Sequence, residues 1–205
     1  YGAFAAIKQT DLKYINAYSS VSHMGMALFA LLMLNKTAWN GAILQSLSHG
    51  FMTALFFALI GMIYGRTHTR DIYKLGGLLK VIPFISAIYV IAGLSSLGLP
   101  GFSGFIAEMN IFVGAFQHED LFYRIATIIV VSAIVVTAVY ILRAAGIMLM
   151  GPVKNNDYLS LEKATWYEKT GVLLLLVPIV GMGVAPLWLS DMIWESLQPF
   201  MQGVL

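Results

Sequence analysis

The stretch IPFISAIYVIAGLSSLGLPGFSGFIAEMNIFVGAF, residues 82–116, decides the fold. Its 35 residues carry a single charged side chain, Glu108. A helix rises 1.5 Å per residue and the hydrocarbon core of a bilayer is about 30 Å thick. The stretch is therefore too long for one simple crossing and too short for two crossings with a turn. Leu99-Pro100-Gly101 and Gly104 interrupt it. Proline removes a backbone donor and glycine loosens a helix, so the reading is one crossing made by a broken helix, interrupted near 98–104. A carboxylate then stands just past the break, in a run that offers it no inexpensive home.

The neighbouring sequence supports a membrane setting. Apolar runs at 15–34, 40–63, 121–142 and 170–189 are each long enough to cross. Over 205 residues the chain is 59% hydrophobic and only 11% charged, with a mean hydropathy of +0.81. A soluble domain has about 25% charged residues. The expected class is an all-α polytopic membrane protein forming a single membrane domain. The net charge of +2 is too small, and no basic run is dense enough, to suggest nucleic acid. The lack of cysteine excludes thiolate-bound iron–sulfur clusters, Cys-bound zinc and disulfides within these residues. Residues 1–14 read as the tail of an earlier helix running into a polar turn, as in a piece of a longer subunit or one half of a split one.

The distribution of basic residues tests the broken crossing. If 82–116 crosses once, Lys8, Lys13, Arg66, Arg70, Lys74, Lys80, Arg143, Lys154, Lys163 and Lys169 share one side, and only Lys36 and Arg124 lie on the other. Two crossings would spoil that bias. The basic side is expected to be cytoplasmic or its equivalent. Residues 187–202, LWLSDMIWESLQPFMQ, place Trp188, Leu189, Met192, Ile193 and Leu197 at helical spacing with Asp191, Glu195 and Gln198 on another face. That pattern predicts an amphipathic helix at the outer interface.

Three titratable residues fall inside the apolar runs: His23, His49 and Glu108. His23 and His49 lie about 12–13 Å along their spans, near the midplane. Ser19 and Gln45 stand four residues before His23 and His49, on the same helix faces. Histidine titrates near neutral pH and hydroxyls hold water, so the pattern suits a proton relay. Lys13, at a span start, is either an intake group for that relay or an interfacial anchor. His68 and His118 fall in polar loops and read as structural or solvated. Two other classes remain. Paired midplane histidines also suit a bis-imidazole haem, although Glu108, the serines and the broken helix then lack a role. A passive anchor would use the polar groups only to bind helices together.

Four ordered segments resemble a known family: KQTDLKYINAYSSVSHMGMAL (8–28), GAILQSLSHGFMTALFF (41–57), RTHTRDIYKLGGL (66–78) and LSSLGLPGFSGFIAEMNIFVGAF (94–116). Together they are similar to the antiporter-like subunits of respiratory complex I, the NADH–quinone oxidoreductase. The Thr-His-Thr-Arg-Asp loop, and a Glu rather than a Lys at position 108, resemble the subunit M (chain 4) group. The resemblance implies the C-terminal part of an antiporter-like fold built on inverted repeats and broken helices. It implies that His23, His49 and Glu108 belong to a midplane proton relay, with Glu108 facing the outlet. It also implies that flavin, iron–sulfur clusters and quinone sit on other subunits, with none held by these residues. Implied partners are other membrane subunits, including paralogous antiporter-like ones, and the lipid bilayer. The implied location is a bacterial plasma membrane, or an organelle inner or thylakoid membrane. A multi-subunit cation/proton antiporter or a membrane-bound hydrogenase shares much of this motif set. The first half of the family's chain, with its own Glu–Lys pair and broken helix, has no counterpart in the 205 residues.

Overall fold

The computed structural model describes residues 1–204. Helices α1 (Gly2–Lys8), α2 (Leu12–Leu32), α3 (Lys36–Thr67), a single turn α4 (Leu78–Val81), α5 (Pro83–Ser96), α6 (Ser103–Phe116), α7 (Leu121–Leu149), α8 (Trp166–Val184) and α9 (Leu187–Val204) follow one another. A short 3₁₀ segment, Asn156–Ser160, interrupts the loop before α8. Among the described residues there is no strand, as expected of an all-α membrane fold; one isolated bridge pairs Asp11 with Asp71.

Local chemistry sets the helix ends. Asp11, Asn35 and Asp120 cap α2, α3 and α7 by accepting from the backbone N–H of Lys13, Ala38 and Phe122 at 2.8, 2.9 and 2.8 Å. Pro83 starts α5, where its missing donor costs nothing. At the start of α8, Glu168 Oε2 accepts from the Thr165 N–H and hydroxyl at 2.8 and 2.9 Å. Helices α3, α7 and α8 are long and apolar enough to cross a membrane, and α5 and α6 are shorter apolar helices. Helix α2 is as long as α8 but less apolar, because Asn16, Ser19 and His23 are on it and turned inward.

The break lies between α5 and α6, at residues 97–102. Gly98 and Gly101 adopt φ of +63° and +97° there, which only glycine adopts without strain. Helix α8 presses on this loop at Gly183, where a β-carbon would overlap the Gly101 carbonyl. Helix α3 meets α6 as closely: a β-carbon at Gly41 would lie 2.6 Å from the Ile111 nitrogen. Glycine thus sets the spacing between the helices around the break.

Polar contacts gather the Lys/Arg-bearing segments at one end. Arg70 pairs with Asp11 at 3.1 Å. Arg143 donates to the Gln9 carbonyl at 2.6 Å, and Lys154 to the Tyr73 carbonyl at 2.7 Å. Arg66 forms a two-pronged pair with Glu168 at 2.9 and 2.7 Å and also donates to the Glu162 and Lys163 carbonyls. At the opposite end His118 donates to the Met33 carbonyl at 2.7 Å, and the Lys36 ammonium lies 3.6 Å from the Trp194 ring centre. Helix α9 lies at that second end. Its Leu189 and Ile193 pack with Leu44, Ala107 and Met182, while Trp188 and Met192 are exposed.

Candidate proton-relay site

Four helices deliver the polar centre. His23 comes from the middle of α2, Gln45 and His49 from α3, Ser96 from the last turn of α5, and Glu108 from the second turn of α6. His23, His49 and Glu108 are 3, 7 and 6% exposed. Ionisable side chains so deeply buried need partners.

His23 is the hub. Gln45 Nε2 donates to His23 Nδ1 at 3.1 Å, so Nε2 carries the ring hydrogen and donates to Ser96 Oγ at 3.2 Å. Glu108 Oε1 lies 3.9 Å from the same Nδ1. That is contact distance for a proton transfer after a small movement, and longer than a hydrogen bond. The His49 ring stands beside the His23 ring with centres 5.3 Å apart and planes tilted by 35°. Thr53 Oγ1 lies 3.0 Å from His49 Nε2, one turn further along α3. Ser48 and Ser103 hydroxyls meet at 2.6 Å and tie α3 to the start of α6, beside the break.

The Glu108 carboxylate rests against the break itself. A β-carbon at Gly98 would overlap Glu108 Oε2. The left-handed glycine therefore does two things: it turns the chain, and it leaves room for the carboxylate. No cation approaches Glu108 apart from the His23 ring, among the described residues.

The structure brings His23, His49 and Glu108 into one cluster. It leaves Lys13 exposed in the first turn of α2, about 15 Å along the helix from His23. The helix-face neighbours have different partners from those the spacing suggests. Ser19 bonds Tyr140 of α7 at 2.7 Å rather than His23, and Gln45 bonds His23 rather than His49. Positions i and i+4 share a face, but side chains that reach across to another helix leave each other free. Sequence spacing singled out neither Ser96 nor Tyr140. A hint existed for Ser96, since Ser95-Ser96 ends an apolar run just before the break. The two imidazole centres lie 5.3 Å apart with tilted planes, and Ser96, Gln45 and Thr53 engage their nitrogens. Among the described residues, no cluster of three or more His, Asp or Glu side chains forms a metal-binding group.

Residues 1–137 match the model of a family described as NADH:quinone oxidoreductase/Mrp antiporter, transmembrane. The chain is 36% identical over 192 residues to an NAD(P)H-quinone oxidoreductase chain 4 of Acaryochloris marina, covering 91% of this chain and 36% of that protein. It is 37% identical over 203 residues to NADH-quinone oxidoreductase subunit M of Pseudomonas aeruginosa, covering 98% and 38%. The chain thus spans a little over a third of the length of these relatives. Its fold superposes on a chain of respiratory complex I from Thermus thermophilus with bound NADH, with a TM-score of 0.88 at 26% identity over 98% of this chain and 42% of that one. A chain of the Mrp complex from a Dietzia species shares the fold, with a TM-score of 0.83 at 18% identity over 94% of this chain and 43% of that one.

Proposed function

This chain belongs to the transmembrane family of NADH:quinone oxidoreductases and Mrp antiporters, and from that premise we propose that it moves protons through His23, His49 and Glu108 in the membrane arm of a redox-driven NADH–quinone oxidoreductase. The observation that carries the reading is Glu108 Oε1 at 3.9 Å from His23 Nδ1, in a buried cluster at a helix break. An ionisable group in a membrane helix is costly and marks an ion path by default.

The geometry suggests how the group loads and unloads. A proton arriving at His23 Nδ1 displaces the Gln45 N–H bond and faces Glu108 Oε1. Transfer to that oxygen leaves a neutral imidazole and a neutral carboxylic acid; release from Glu108 to water returns the carboxylate. His49, with its ring centre 5.3 Å from that of His23 and its Nε2 beside Thr53 Oγ1, is the neighbouring carrier. Lys13 is placed to collect protons at the Lys/Arg-rich end. Flavin, iron–sulfur clusters and quinone belong to other subunits, and the electron-transfer energy reaches this chain through the assembled membrane arm. The plasma membrane of a bacterium is the proposed location.

Glu108→Gln in the intact complex tests the reading. The variant keeps the shape and removes the exchangeable proton. Proton translocation per electron is expected to fall while the subunit still assembles; unchanged pumping would sink the proposal. A second reading, a subunit of a multi-subunit cation/proton antiporter, is favoured by the fold shared with the Mrp chain. Co-purifying subunits decide between them: flavin and iron–sulfur proteins support the first, and antiporter-like subunits alone with Na⁺-dependent proton movement support the second.

A further inference from the structure

The start of α5 and the loop leading into α8 share a cavity of about 180 Å³ at the Lys/Arg-rich end. Buried Ile82 and Ile85 and half-buried Phe84 give it an apolar wall, and the exposed Lys163 and Lys169 line it from the α8 side. The Lys169 ammonium stands 5.7 Å from the Phe84 ring centre, within cation–π reach. Among the described residues, neither lysine has a carboxylate partner. The acids next to them in sequence, Glu162 and Glu168, face a separate cavity that they share with Arg66, and Arg66 holds Glu168 there. The cavity beside α5 is therefore lined by two positive charges and no negative one.

Backbone donors add to those charges. Helix α5 has no side-chain cap, and no carbonyl among the described residues accepts from the Phe84 or Ile85 N–H. Beyond the cavity the surface turns apolar. Helix α8 packs on α3 and α6 rather than along α5, so the seam between α5 and α8 is open to lipid. Leu173 and Leu176 follow Lys169 at spacings of four and seven and continue its face of α8 into that seam. Trp166 and Tyr167, 77 and 62% exposed, stand at the same end, where aromatic side chains settle at headgroup level.

We propose that this cavity binds one anionic phospholipid from the leaflet at the Lys/Arg-rich face. Lys163 and Lys169 hold its phosphate, the free N–H groups at the start of α5 face the same oxygens, and an acyl chain lies in the seam between α5 and α8. Unmatched positive charge selects an anion, and a basic pocket between membrane helices on the cytoplasmic side is the setting in which anionic headgroups bind. The apolar wall and the apolar seam select a lipid over a free anion, which has nothing to place there. The bound lipid bridges the helix that enters the break and the helix that presses on it at Gly183. The inference is independent of the roles given to His23 and Glu108.

The test uses the full-length subunit in its intact complex, reconstituted in phosphatidylcholine vesicles. Phosphatidylglycerol with a photoactivatable acyl chain is added at graded mole fractions, and the labelled peptides are mapped by mass spectrometry. Labelling of 82–91 and 169–180 is expected to saturate, and to exceed that given by phosphatidylcholine carrying the same chain. A lysine beside anionic lipid is worth about fivefold in affinity, so Lys163→Gln combined with Lys169→Gln should raise the half-saturating fraction about tenfold or more. Lys74→Gln, which removes an exposed lysine of the same end outside the cavity, should leave it unchanged. Equal labelling by the two lipids, or native labelling in the double variant, overturns the site. Loss of labelling on adding inorganic phosphate also overturns it, by showing a free-anion site. Absence of labelling by either lipid does so too, by showing a face covered by another subunit. If the double variant does not assemble, Lys169→Gln alone is measured, with a shift of about fivefold expected and a native half-saturating fraction overturning the site.

Discussion

Replacing Gly98 with alanine should uncouple proton movement for a reason that a paired control can isolate. Gly98 has φ +63°, and its missing side chain leaves the space that Glu108 Oε2 occupies. Alanine there meets two penalties. The left-handed backbone costs about 1–2 kcal/mol for a residue with a β-carbon. The methyl also drives the carboxylate out of its place, and with it the Oε1 that faces His23 Nδ1 at 3.9 Å. A shift of about 1 Å at a reacting atom can cost on the order of 10²-fold in rate. Gly101 supplies the control. Its φ is +97°, but a β-carbon there meets nothing within 4 Å. Gly101→Ala therefore carries the backbone penalty without touching the carboxylate. In proteoliposomes, Gly98→Ala should lose most proton translocation per electron while Gly101→Ala keeps most of it, with similar small losses in the thermal stability of the complex. Equal loss of translocation in both variants would refute the reasoning. The break would then matter as a strained loop rather than as a seat for Glu108.

Two further outcomes test the frame around the site. Arg66 holds Glu168 with two hydrogen bonds and pins the Glu162 and Lys163 carbonyls, so Arg66→Ala should destabilise the chain by about 1.5–3 kcal/mol, the range for hydrogen bonds to a charged group, and open the loop at 150–165 to limited proteolysis. Unchanged cleavage of that loop would show that Arg66 does not fasten it. Lys36→Met should remove a cation–π contact worth about 0.5–1 kcal/mol and shift the emission of Trp194 toward that of a less ordered indole, measured with the other three tryptophans replaced by phenylalanine.

The class and the break were legible in the residues themselves. So low a charge content points to lipid as the solvent, and Leu99-Pro100-Gly101, with a missing donor beside a glycine, favours a break over a continued helix. The residue types of the centre were legible for the same reason: a histidine or carboxylate in an apolar run must be accommodated, so His23, His49 and Glu108 stand out against their neighbours. Their company was not legible. His23 bonds Ser96, 73 residues away, and Ser19 bonds Tyr140, 121 residues away. Periodicity assigns each side chain to a face of its own helix, but it does not say which helix that face meets or at what height. Close approach decides that: α3 against α6 at Gly41, and α8 against the break at Gly183. Gly98 shows the limit most clearly. Its sequence marked a turn, and only the packing of α6 made it the seat of a carboxylate ten residues on, because what a missing side chain makes room for is settled by whatever folds into the space.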